Sequence, residues 1–303
     1  MLMNPSIKNK TTGVGIFDVR DYQEIFKEIN VTVGLMKPGF DFSHFDTALE
    51  DVKRLFGGQY EGYRGCNTKY HDFGHTLMVM LAMTRLMHGA FLQGTKFTDK
   101  EINLGLISSL MHDTGYIQSA DDFEGTGAKY TLTHIARSIE FIQNYYSEKP
   151  YFAADMKNFN DILSCTGLRT AIADLTFESE RIALLGKMVG TSDLLGQMAD
   201  RLYLEKLVLL YNEFEEGNVP GFDSEMDLLR KTVSFYIWTK ARIENEFGNV
   251  SRYMVDHFKN RWNINSNVYE EAIENNIQYL KFILKNNQKN IHSSLRRKLF
   301  SFQ

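Results

Sequence analysis

Cysteine is scarce in this chain of 303 residues: there are two, Cys66 and Cys165. Two thiols make no disulfide framework, and without a signal-peptide pattern they predict a reducing, cytoplasmic setting. Proline is scarce too, at four residues, which suits a mostly helical chain. No uninterrupted apolar run approaches the roughly 20 residues needed to cross a bilayer, so no membrane segment is expected. The densest stretch, Leu77–Met83, is short and reads as a buried helix. A large net charge is missing as well. The formal value of -4 argues against a nucleic-acid polymer or an anionic membrane surface as partner.

An apolar content of 43% is enough for a sizeable core. The apolar periodicity predicts an all-α fold. Residues 1–18 read as an irregular arm, Asp21–Asn30 as a short helix and Val31–Phe40 as a β-like run closed by Pro38 and Gly39. Ser43 is expected to cap a helix reaching Phe56, with Phe45, Leu49, Val52 and Phe56 on one face. Tyr70–His88 is apolar nearly all round and should be central. On that helix His71 and His75, four apart, would share a face. Thr98 and Glu101 predict a capping box for the helix that reaches His112. Further helices are expected over Lys129–Ser147, Ala153–Cys165, a long glycine-interrupted Phe177–Glu216, Ser224–Phe247, Ser251–Arg261 and Val268–Lys285. The basic end, Ser293–Lys298, reads as a solvated tail.

The chemistry concentrates around Leu106–Tyr116, LISSLMHDTGY, where an apolar helix ends in adjacent His112 and Asp113. Two groups that resist burial lie together there, and a metal ion is one partner that satisfies both. Taken alone the pair is ordinary. It gains meaning from His71, His75, His134 and Asp193, on stretches that should pack into the same bundle. Imidazole and carboxylate suit a divalent or first-row transition metal such as Mn, Fe, Ni, Zn or Mg. Each residue also has a plainer reading: His71 as a surface residue, His134 as a satisfied core histidine, Asp193 as a hydrogen-bond acceptor between helices.

The ordered set Tyr70-His71-Asp72-Phe73-Gly74-His75, then His112-Asp113, then Asp193 in GTSDLLGQMADR, resembles the HD-domain metal-dependent phosphohydrolases. Within them it is most similar to the branch of the class I cyclic-nucleotide phosphodiesterases. The resemblance covers residues 43–215 and implies an HD-domain helical bundle there, preceded by an N-terminal arm (1–42). C-terminal helices (216–303) would pack on it. It implies a divalent metal held by His75, His112, Asp113 and Asp193, with Asp113 bridging to a second ion where two are bound. His71 takes the place of the general acid, and His134 that of a histidine near the second metal. Asp113 thus counts with His71 as catalytic.

Three departures stand out. Asp72 replaces the family's usual asparagine and is expected to raise or orient His71 from beside it. Tyr116 stands where the phosphodiesterases carry a further histidine, and no glutamine clearly matches the one that grips the purine. Gly190 and Gly196, three residues either side of Asp193, are expected to let a neighbouring helix and its ligand approach. The implied substrate is a small-molecule phosphoester; self-association is left open. Two alternatives remain on the same scaffold, a di-iron oxygenase and a catalytically silent ligand-sensing module.

Overall fold

The architecture is that of a computed structural model, which describes residues 22–286 together with 294 and 295. The expectations for residues 1–18 and for most of Ser293–Lys298 lie outside the described residues. Among those described there are eleven α-helices and no strand, so the fold is all-α. They are α1 (Tyr22–Met36), α2 (Ser43–Phe56), α3 (Phe73–Leu92), α4 (Asp99–Met111), α5 (His134–Tyr146) and α6 (Met156–Ser164). There follow α7 (Glu180–Met198), α8 (Tyr203–Glu216), α9 (Glu225–Asn245), α10 (Tyr253–Trp262) and α11 (Val268–Asn286).

Helix α3 is the axis of the bundle. Every residue from Gly74 to Ala90 is buried. A helix without a polar face has no side to give to water, so neighbours must surround it. Helices α7, α10, α1 and α4 do so, and α7 packs against it most extensively. Helix α4 also packs on α2 and α7, and α6 packs on α7 and α4. Phe45, Leu49, Val52 and Phe56 are buried, and the Thr98–Glu101 capping box is present.

Several boundaries differ from the sequence reading, each for a local reason. Val31–Met36 is not β-like; it continues α1. Ile25, Ile29, Val33 and Met36 form one buried stripe at helical spacing, and its packing on α3 overrides the β preference of the valines. Ser43 is the first helical residue rather than the cap, and its N–H is held by Asp41 Oδ1. The stretch expected as Lys129–Ser147 is a 3₁₀ turn, Gly127–Tyr130, followed by α5. The long Phe177–Glu216 pattern divides at Ala199–Leu202, where Asp200 Oδ1 accepts the Leu202 N–H and turns the chain into α8.

Candidate metal centre

Two helix ends and the middle of a third helix meet at the N-terminus of α3. The first is its own N-terminus, which begins at Phe73 rather than Tyr70. Asp72 is the N-cap, its Oδ1 accepting the His75 N–H at 2.8 Å. This satisfies one of the free donors of the first turn and fixes where the helix starts. His75 therefore lies on the first turn, whereas His71 sits in the bend before it. The two do not share a helical face as expected.

The second is the C-terminus of α4. His112 is the C-cap, and Asp113 leads into the 3₁₀ turn Thr114–Tyr116. Ser138 of α5 clamps this turn: its hydroxyl donates to His112 O at 2.6 Å and accepts the Gly115 N–H at 2.8 Å. A Cβ at residue 115 would overlap the His134 carbonyl oxygen, so glycine is what lets α5 come this close. The third contribution is Asp193, in the middle of α7. At Gly196, one turn on, an added Cβ would stand 3.2 Å from Met78 and Val79 backbone atoms of α3. Gly196 thus brings α7 against the helix that carries His75. Gly190 faces Cys165 and Phe247 instead.

The resulting geometry is tight. His75 Nε2 lies 3.3 Å from Asp113 Oδ2, 3.2 Å from Asp193 Oδ1 and 3.3 Å from His112 Nε2. His112 Nε2 lies 3.1 Å from Asp113 Oδ2 and 3.8 Å from Asp193 Oδ1. His75, His112 and Asp113 are buried. One ligand atom each from His75, His112 and Asp193 falls within 4.8 Å of the others, a spacing that could hold a metal ion. Asp113 Oδ2 is buried without a hydrogen-bond partner of proper geometry. His112 Nδ1 is 2.9 Å from Ser109 O, so it carries the proton and leaves the Nε2 lone pair facing the cluster.

The electrostatics agree with that donor set. Burial drives His75 toward its neutral form, but Asp113 and Asp193 outweigh it and pull the pKa up to about 10. Burial likewise opposes protonation of His112, and Asp113 again raises it. Burial favours a neutral Asp113, yet the His112 and His75 imidazoles set against it hold its carboxyl well below the usual range. Two carboxylates in this position call for positive charge between them. A divalent cation would meet that call, with imidazole and carboxylate lone pairs as its donors.

A second group lies alongside. His71 Nδ1 is 2.6 Å from Glu213 Oε2 on α8. The other oxygen, Glu213 Oε1, accepts the Lys69 and Tyr70 N–H groups at 2.7 and 2.6 Å. The buried Glu213 therefore sets both the bend and the ring within it. His71 stacks on Tyr116 with ring centroids 4.3 Å apart, and Tyr116 stacks on His134 at 4.5 Å. His134 Nδ1 is 2.7 Å from Thr131 O, and its Nε2 lies 3.8 Å from Asp113 Oδ1. Burial lowers the pKa of His134, with Asp113 opposing.

Asp72 is placed differently from the sequence expectation. Its hydrogen bond goes to the start of α3, and the carboxylate that meets His71 is Glu213. Burial raises the Asp72 carboxyl, and Lys206 opposes. The sequence reading missed Glu213, Ser138 and Gln197. Glu213 stands in NEFEE, where nothing separates it from its acidic neighbours. Gln197 donates from Nε2 to Asp193 Oδ1 at 3.2 Å and accepts from Tyr70 Oη at 2.9 Å.

Fold and site together define an all-α bundle with a buried histidine–aspartate cluster at its axis. Among known proteins, a family model described as Npun_R2479-like matches residues 120–245. That span is similar to the family; it holds His134, Asp193 and Glu213 but neither His75 nor the His112-Asp113 pair. No curated protein and no solved structure matches the chain.

Proposed function

We propose that this chain is a metal-dependent phosphohydrolase of the HD-domain kind, acting as a phosphodiesterase on a nucleotide or another small phosphoester. The observation that carries the reading is the convergence of His75, His112, Asp113 and Asp193 from distant parts of the chain, with the His71–Glu213 pair beside them. His75, His112, Asp113 and Asp193 would hold the ion. Asp113 Oδ2, buried and making no hydrogen bond of proper geometry, fits such a role, because a buried carboxylate oxygen left without one is costly. A bound divalent cation would supply a more acidic water and neutralise phosphoryl charge.

The remaining steps fall to side chains of this chain. Glu213 accepts from His71 Nδ1, so Nε2 is the nitrogen left to hand a proton to the leaving oxygen. Glu213 also fixes the ring's direction, which general acid catalysis requires. Ser109 O keeps the His112 proton on Nδ1 and its lone pair on the ligand side. Tyr116 walls the space between His71 and His134 and excludes water from it. We assign the activity to the cytosol on the strength of the two free thiols. No helix among the described residues is long and apolar enough to cross a membrane.

A second reading draws on His134. Its Nε2 lies 3.8 Å from Asp113 Oδ1, so His134 and Asp113 would help to hold a second ion, and that donor set suits a di-iron oxygenase as well. Elemental analysis of protein purified without chelator, followed by a phosphoester panel with added Mn, Ni and Mg, separates the two. Hydrolysis of a phosphoester in the panel, read as the phosphomonoester and alcohol from a diester or as phosphate from a monoester, supports the hydrolase. Bound iron with O₂ consumption would transfer the case to the oxygenase, and metal without either activity to the ligand-sensing module. Within the hydrolase, His71→Ala should keep metal and lose most turnover, while His112→Ala and Asp113→Ala lose both.

A further inference from the structure

Gln197 and Tyr70 touch the site without belonging to the ligand set. Gln197 lies one turn after Asp193 on α7, and its Nε2 donates to Oδ1, the Asp193 oxygen that faces His75 and His112. An amide side chain can present either its donor or its acceptor end. The acceptor end here would set a carbonyl oxygen against a carboxylate and push it away. Tyr70 holds the amide from its other end: its hydroxyl donates to Gln197 Oε1 at 2.9 Å, leaving Nε2 for the Asp193 carboxylate and the Asp193 backbone carbonyl, 3.3 Å away. Tyr70 is buried, and its ring is 6.2 Å from that of His75 and 4.9 Å from that of His71. Its backbone N–H is one of the two that hold Glu213. One residue thus reaches both groups: by side chain toward Asp193, by main chain toward the carboxylate of His71.

We infer that Tyr70 and Gln197 form a positioning relay, in which the tyrosine hydroxyl locks the amide of Gln197 so that its N–H orients Asp193 toward the ion. The inference rests on the metal-site reading of the proposed function. Asp193 projects from mid-helix, and no backbone cap fixes its carboxylate. Groups that orient a ligand in this way commonly change metal affinity by about tenfold or more.

The test is Mn²⁺ binding to the full chain, read by competition with a chromophoric chelator. The variants are Tyr70→Phe, Gln197→Met, the double variant, and His112→Ala as the ligand control. Tyr70→Phe removes one oxygen from a buried ring, and Gln197→Met keeps the volume while dropping the donor. Circular dichroism confirms that each is folded. Each single variant should bind Mn²⁺ about tenfold more weakly, and the double variant no more weakly than the worse single one, because both break the same relay. A purely packing role predicts that Gln197→Met binds like the parent, and that result would overturn the relay. Additive losses would overturn it too, since the two side chains would then act separately. If the parent binds Mn²⁺ and His112→Ala does not, such outcomes sink the relay alone. A parent that binds no Mn²⁺ sinks the metal-site reading and the relay with it.

Discussion

Glu213 Oε2 lies 2.6 Å from His71 Nδ1, although 142 positions separate the two residues along the chain. The same carboxylate takes the N–H groups of Lys69 and Tyr70, so the bend that presents His71 is held from α8. Its role is testable apart from metal binding.

Glu213→Gln keeps an acceptor for the bend but turns an amide N–H toward the imidazole. His71 Nδ1 would then have to accept, which disfavours the doubly protonated ring that the proposed acid role needs. Turnover on the phosphoester identified by the panel should fall about tenfold to a hundredfold, with Mn²⁺ affinity unchanged. Equal loss of both would show that Glu213 supports the whole site rather than His71.

Ser138→Ala should cost about 1–3 kcal/mol in urea unfolding, because it strips partners from two buried backbone groups, His112 O and the Gly115 N–H. An unchanged midpoint would mean that the turn after α4 is held by something other than this hydroxyl.

Gly196→Leu forces a side chain into the backbone of α3 at Met78–Val79. Separating α7 from α3 should cost about 1–3 kcal/mol and weaken Mn²⁺ binding by drawing Asp193 away from His75. Loss of neither stability nor metal would remove Gly196 from the account of the site.

Stability should also depend on pH through a pair far from the candidate centre. His88 on α3 and His257 on α10 are buried with their Nδ1 atoms 3.0 Å apart. Burial, with help from Arg261, lowers His88 to about 4; burial, then Arg85 and His88, hold His257 well below its usual value. Glu28 of α1 opposes this at His88. In the unfolded chain each ring takes a proton near its ordinary pKa of about 6.5. Between pH 6.5 and about 4 the unfolded state therefore binds more protons, and stability falls as the pH falls through that window. His257→Gln should flatten the slope of unfolding free energy against pH there, whatever it does to stability at pH 7. An unaltered slope would count against the pair.

Much of the fold was legible locally. The all-round apolar character of the stretch after Phe73 marked it as central, because a helix lacking a polar face has to be enclosed. The Thr98–Glu101 box marked the start of α4 for an equally local reason. Boundaries failed where a few residues decide them. Asp72 capping the His75 N–H moved the start of α3 past His71, and Asp200 cut the long pattern before α8. Asp72 is the carboxylate adjacent to His71, yet a cap is committed to the helix it begins.

That the chain is helical, and that His75, His112, Asp113 and Asp193 stand in or beside apolar helices that have to pack, can be read from residue order alone. Both facts follow from spacing along the backbone, which a linear pattern carries. That Glu213 rather than Asp72 meets His71, and that Tyr70 reaches Gln197 behind Asp193, follows from how the helices pack. Glu213 and His71, like Tyr70 and Gln197, are more than a hundred positions apart along the chain. A hydrogen bond needs atoms within about 3 Å of each other, and only packing sets that distance.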